Sequence, residues 1–237
     1  MTAGATRASE AAAGLVDRHR ASGRRRTVVG LAGEPGAGKS TLAAQLVVAL
    51  GAAGLSAVVV PMDGFHLANV ELDRLGRRDR KGAPDTFDAD GYVALLRRLA
   101  APGPRPVWAP DFDRDLEEAV AGSIAVAPEV EVVVTEGNYL LVDAEPWTAA
   151  RAALHETWFV EVDPAERLRR LVARHVRFGK DEEAALAWAT GPDEGNARLV
   201  RAGRASADLV VVADAGAGPG PGPGHGLRPE PGVGGLS

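Results

Sequence analysis

Apolar runs and helical stripes alternate along the chain. Residues 27–32, TVVGLA, form a continuous apolar run of strand length, as do 56–60, 130–137 (VEVVVTEG), 157–163 (TWFVEVD) and 207–214 (ADLVVVAD). Runs of this kind, rather than strict alternation, predict strands buried on both faces of a parallel sheet. Between them, Leu42, Leu46, Ala49 and Leu50 recur at helical spacing and are stopped by Gly51 and Gly54. Leu95, Leu96 and Leu99 mark a helix over 92–100, Pro164 opens one over 164–178, and a short helix is expected over 9–19. Strands alternating with helices predict an α/β fold with a doubly wound, mainly parallel sheet of about five strands. Ligands then gather at the carboxyl ends of the strands.

The same pattern divides the chain into a helical N-terminal extension (1–26), one α/β domain (27–214) and a Gly/Pro-rich tail (215–237) read as disordered. The basic run Arg24 to Arg26 reads as a solvated turn before the first strand.

Composition narrows the picture by exclusion. A net charge of −5 argues against a general nucleic-acid binder. There is no cysteine, hence no disulfide framework or thiolate chemistry. No apolar run approaches the ~20 residues that span a bilayer. Residues 1–26 lack an apolar leader core, and Glu10 and Asp17 count against a transit peptide. The expectation is a cytoplasmic protein with no membrane or nucleic-acid partner.

The chemistry enters after the first strand. GEPGAGKST (33–41) fits G-x-x-x-x-G-K-[ST], with Gly33, Gly38, Lys39 and Ser40 at the fixed positions. Glycines let the backbone curl so that amides, including those of Gly36, Ala37 and Thr41, converge on phosphate oxygens at a helix N-terminus. Lys39 then neutralises β- and γ-phosphate charge and Ser40 holds Mg²⁺, so ATP and Mg²⁺ are the expected cofactors. No N-K-x-D element of a guanine-specific domain is present.

Further segments carry a resemblance. MDGFH (62–66), RKGAPDTFD (80–88), APDFDRDLEEAVAGSIAV (109–126), TEGNYLL (135–141) and RHVRFGK (174–180) together resemble the superfamily of uridine kinase, phosphoribulokinase and bacterial pantothenate kinase. The chain looks most like its bacterial nucleoside/nucleotide kinase-like branch, some of whose members carry fructokinase-type names. The resemblance runs over residues 28–212 and implies a three-layer P-loop fold with a helical lid. It implies an ATP-dependent kinase acting on a hydroxyl of a small molecule: a nucleoside, a pantothenate-like compound or a sugar. A nucleoside monophosphate kinase and a non-catalytic ATP-binding regulator are the alternatives. Related kinases often form homodimers.

The resemblance also assigns residues. Asp63 is implied beside the acceptor hydroxyl, as a carboxylate that orients it and takes its proton, or else as a ligand of magnesium-bound water. Glu136 is implied near the metal or the acceptor. Phe112, Asp113 and Arg114 are implied as a wall of the acceptor pocket, where many relatives carry tyrosine in place of Phe112. The alternation of Asp111, Asp113 and Asp115 does not make a calcium loop, because Leu116 and Gly122 stand where glycine and glutamate are required. Arg80 and Lys81 either meet an acidic substrate or are solvated loop charges. His66 is a pocket contact or a packed imidazole, Phe87 and Asp88 are placed near the start of the following helix, where Asp88 could also be simply an N-cap, and Asn196 lies near the acceptor or the nucleotide. On the 164–178 helix, Arg167, Arg170, Arg174 and Arg177 share one face. Arg167 and Arg170 are read as solvated, whereas Arg174, Arg177 and Lys180 are implied as lid cations that steady the transferred phosphoryl. His175 reads as a packed or surface imidazole.

Overall fold

A computed structural model describes residues 6–212. Its sheet has six parallel strands: β1 (Thr6–Arg7), β2 (Thr27–Ala32), β3 (Ala57–Pro61), β6 (Val132–Gly137), β7 (Glu156–Glu161) and β8 (Leu209–Val212). Their spatial order is β1-β8-β7-β2-β6-β3. β4 (Val107–Asp113) and β5 (Glu118–Val126) form a separate antiparallel hairpin.

The apolar runs serve both faces of the sheet by simple alternation. Val28, Val133 and Phe159 enter one core, while Val29, Leu31, Val132, Val134, Trp158 and Val160 enter the other. The first core is covered by α4 (Ala89–Ala100), α5 (Trp147–Ala152) and Val200 of α8 (Pro192–Ala202). The second is covered by α1 (Ala8–Ser22) and α2 (Lys39–Ala52). The result is the expected three-layer α/β fold. Asp88 caps α4 by accepting from the Gly91 amide at 2.9 Å. Asp163 caps α6 (Pro164–Arg177) by accepting from the Ala165 and Glu166 amides. α7 (Glu182–Thr190) follows α6 and leads into α8.

Several features differ from the sequence expectation. The sheet has a sixth strand, because Thr6 and Arg7 pair with Val211 and Val212 of β8. The segment expected as an extension thus supplies an edge strand, and α1 buries Ala11, Ala12, Leu15 and Val16 in the second core. A two-residue strand carries no periodicity by which to detect it. Arg26 is not in a solvated turn: it is buried and donates to the carbonyls of Val130 and Ala127, each at 2.7 Å. The tail over 215–237 and the end of the expected last strand at 213–214 lie outside the described residues.

Parallel register sets the level of the site. Ala32 is opposite Gly137, and Pro61 is opposite Glu136. β2, β6 and β3 therefore run out together, and the residues that follow each are neighbours.

After β3 the chain turns through Met62–Phe65 beneath the hairpin. A Cβ on Gly64 would stand 2.5 Å from the Pro110 carbonyl oxygen and 3.1 Å from the Asp111 amide nitrogen. Both are backbone atoms of β4, so neither yields cheaply. Gly64→Ala is expected to cost about 1–3 kcal/mol by overpacking, read as a lower urea midpoint at unchanged m-value.

Candidate active site

The loop after β2 curls as its glycines allow. Gly36 and Gly38 have φ of 83° and 93°, and Gly38 is the N-cap of α2. Lys39 is buried inside this curl, its Nζ donating to the carbonyls of Gly33 (2.9 Å) and Glu34 (3.1 Å) and to Asn138 Oδ1 (2.7 Å). Burial holds the lysine below its ordinary pKa, opposed by the charges of Glu136, Asp63 and Glu34.

Glu136, buried at the end of β6, accepts from Ser40 Oγ at 2.7 Å. Burial pushes its carboxyl up, and the charge of Asp63 pushes it the same way, against Lys39 and the Ser40 hydrogen bond. A hydroxyl and a carboxylate this close at the mouth of an anion-binding loop are hard oxygen donors of the type that magnesium takes. Ser40 and Glu136 therefore fit the group.

Asp63 stands on the turn after β3, about two-thirds buried, with Arg114 Nη2 3.6 Å from its carboxylate. Its backbone carbonyl accepts from His66 Nδ1 at 2.8 Å, which fixes the tautomer and leaves Nε2 as an acceptor. The imidazole lies between Phe87 (ring centroids 4.1 Å apart) and Phe112 (4.9 Å). Burial lowers its pKa, with Asp63 opposing, so it is neutral near pH 7. The Lys81 ammonium sits 4.9 Å from the centroid of the Phe112 ring. Asp63, His66, Phe112, Arg114 and Lys81 thus line one wall.

Not every expected residue joins the site. The Arg80 guanidinium is engaged by Asp85 at 2.6 Å. The Lys81 amine, though on the wall, is held by Asn69 Oδ1 and the Glu117 carbonyl. The Asp113 carboxylate accepts from the Asp115 and Leu116 amides and shapes the hairpin turn. Arg177 is exposed and lies against the Phe178 ring, and Lys180 packs over Trp188 of α7. Neither hydrogen-bonds to the phosphate loop. Arg174 is near enough to Lys39 for their like charges to interact, and lies 4.0 Å from Asp193. His175 is a packed imidazole, its Nε2 2.7 Å from Asp193 Oδ2. Asn196 is half-buried on α8.

The largest correction concerns Arg167, read as solvated, whereas Arg170 keeps the i,i+4 pairing with Glu166 expected of a solvated face. Arg167 is only 6% exposed and is engaged by Glu34 of the loop (3.0 Å) and by Glu194 of α8. Arg170 pairs with Glu166 and reaches the Ala37 carbonyl at 3.4 Å. The helical stripe was legible, but the α8 surface that covers half of it was not. Asn138 was also missed. Its only sequence signal is its place two residues after Glu136, just beyond the strand end.

A phosphate loop with its lysine, hydroxyl and strand-end carboxylate at one sheet edge defines a P-loop nucleotide-binding protein. The model of the family described as "Methylmalonyl Co-A mutase-associated GTPase MeaB" matches residues 2–66, a minority of the chain that includes this loop. A Schizosaccharomyces pombe protein named "Putative uridine kinase C227.14" is 34% identical over 194 residues, 78% of this chain and 83% of that protein. The crystal structure of a "putative fructose transport system kinase" from Silicibacter sp. TM1040 has 42% identity and a TM-score of 0.80, covering 86% of this chain and 98% of that one. YFH7 from Saccharomyces cerevisiae, described as "a putative P-loop containing kinase with a circular permutation", shares the fold at 19% identity and a TM-score of 0.73, over 86% and 97% of the two chains. The chain belongs to the P-loop kinase superfamily that includes uridine kinase.

Because Glu136 has a raised folded-state pKa, its ionisation opposes folding. Below the ordinary carboxylate range both states are protonated and there is no penalty. The penalty grows as pH rises from that range to the raised value. In the ligand-free protein, Glu136→Gln is expected to melt higher than wild type near pH 7.5, with the gap closing as pH falls towards 4. Paired thermal melts across that range check it, and a gap that is constant with pH contradicts the assignment.

Proposed function

We propose that this protein transfers the γ-phosphoryl group of ATP to a hydroxyl of a small molecule. The observation that carries the reading is the common level of the strand ends, which sets the Asp63 carboxylate across from Lys39, Ser40 and Glu136. Asp63 is close enough for its charge to act on both Lys39 and Glu136. In this reading the loop amides and Lys39 hold the triphosphate, and Ser40 and Glu136 hold Mg²⁺. Bound there, Mg²⁺ supplies charge neutralisation at the phosphate oxygens.

Asp63 orients the acceptor hydroxyl and takes its proton as the oxygen bonds to the γ-phosphorus and the bond to the β,γ-bridging oxygen breaks. Arg114, with Nη2 3.6 Å from this carboxylate, helps to orient it toward the acceptor. His66, held neutral, Phe112 and Lys81 wall the acceptor. Arg174 faces the phosphates and offsets charge spread over the equatorial oxygens. A nucleoside monophosphate would need more cations at this wall, and Asp85 already engages Arg80. We assign the activity to the cytoplasm, where ATP is supplied. Among the described residues no helix is long and apolar enough to cross a membrane.

The test is ATP turnover with a panel of nucleosides, pantothenate and sugars, repeated with Asp63→Asn. The variant is expected to lose about 10²–10⁴-fold in kcat on the best acceptor while binding ATP as wild type does. Full rate in the variant removes Asp63 from the chemistry. ATP binding without turnover on any acceptor favours a regulatory ATP-binding protein.

A further inference from the structure

Four charged side chains join the phosphate loop to the helices that follow β7, and none belongs to the loop's fixed motif. Arg167 of α6 contacts Glu34 at 3.0 Å and donates to Glu194 of α8. Arg201, on the same helix as Glu194, donates to both Glu34 oxygens at 2.8 Å and lies 3.4 Å from Glu194. The two carboxylates and two guanidinium groups form a closed ring bordering a crevice of about 610 Å³. Its members are unequally buried: the side chain of Arg167 is 7% exposed, Glu34 14%, Glu194 24% and Arg201 45%. Burial alone would raise the Glu194 pKa, but the Arg167 hydrogen bond and both arginine charges leave it below its ordinary value. The hydrogen bond to Glu34 correspondingly raises Arg201.

Glu34 is where this ring meets the machinery. Its side chain is gripped by both arginines, while its own carbonyl and that of Gly33 accept from Lys39 Nζ. The grip is reinforced by packing. A Cβ on Gly36 would stand 2.8 Å from Leu171 Cγ and 3.1 Å from the Arg167 carbonyl oxygen, so α6 lies directly on the loop. A loop rich in glycine has many backbone states to lose on ordering, and a fixed side-chain anchor restricts them.

We infer that Arg167 and Arg201 are positioning residues that, through Glu34, hold the phosphate loop in the conformation that places Lys39. The ring makes ATP affinity depend on α8, an element outside the loop motif. The inference rests on Lys39 serving the phosphates, as proposed above, and carries the added claim that α6 and α8 set the loop's order.

Arg201→Met is the main variant, because Arg201 is half-exposed and its loss leaves the buried Arg167 on both carboxylates. Glu34→Gln is the second and keeps the shape of the anchor. Both are compared with wild type by circular dichroism and by hydrogen exchange of the amides of residues 33–38 without nucleotide. ATP is then titrated by calorimetry, and KM is measured for ATP and for the best acceptor. Faster loop exchange with ATP Kd raised roughly tenfold to a hundredfold and acceptor KM unchanged is the expected result. The double variant should lose less than the sum of the singles, since both act through one anchor. Unchanged loop exchange in the folded variants overturns the inference, as does weakening that falls equally on ATP and acceptor. If wild type binds no ATP the donor reading fails, whereas the exchange comparison still decides whether the ring orders the loop.

Discussion

The structure depends on where three parallel strands stop. β2, β6 and β3 end level because their hydrogen-bond register is continuous from Thr27 to Pro61 across the sheet. Each strand is followed within a few residues by polar groups: the phosphate loop, Asn138, and the turn bearing Asp63. A slip of one residue in either pairing would exchange the two faces of a strand and bury the wrong side chains. The apolar content of both cores therefore fixes the register, and the register fixes the spacing of Lys39, Glu136 and Asp63. The site inherits its precision from packing some distance below it.

That arrangement concentrates charge where water is scarce. Lys39 and Glu136 are both buried, and burial acts against the ionised form of each. The loop carbonyls, Asn138 and Ser40 partly compensate by hydrogen bonding. A triphosphate and a divalent cation would bring the charges opposite to those of Lys39 and Glu136, which burial disfavours in their ionised forms. The wall beside Asp63 is tuned differently. It combines aromatic surface from Phe87 and Phe112 with an imidazole whose donor is spent on the backbone of the turn bearing Asp63. The Asp63 carboxylate and the His66 imidazole are thereby joined in one turn.

Much of this was legible along the chain. The strands that build both cores are apolar runs long enough to be unmistakable, and the loop motif announces itself because few sequences satisfy its spacing between a strand and a helix. Asp63 stood out as a carboxylate at the end of such a run. Less visible were elements lacking any periodicity of their own: the two-residue strand β1, the hairpin whose outer face is mostly exposed, and short helices such as α5. Charged residues were hardest to place. Arg26, Arg80, Arg167 and Arg177 are equivalent as letters, yet one caps backbone carbonyls, one serves a neighbouring aspartate, one is buried between two glutamates and one lies exposed against a phenylalanine ring.

The sequence by itself determined the class of fold, the phosphate loop with its lysine and serine, and the identity of the strand-end carboxylates. Those features are local, since periodicity and motif spacing are written within a few residues of each other. Only the tertiary structure decided that Glu34 pairs with Arg167 and Arg201, that Arg167 is interior, and that Arg80, Arg177 and Lys180 face other partners. The reason is that the environment of a long cationic side chain is set by whatever packs across from it. For Arg167 that partner, Glu194, lies 27 residues further along the chain.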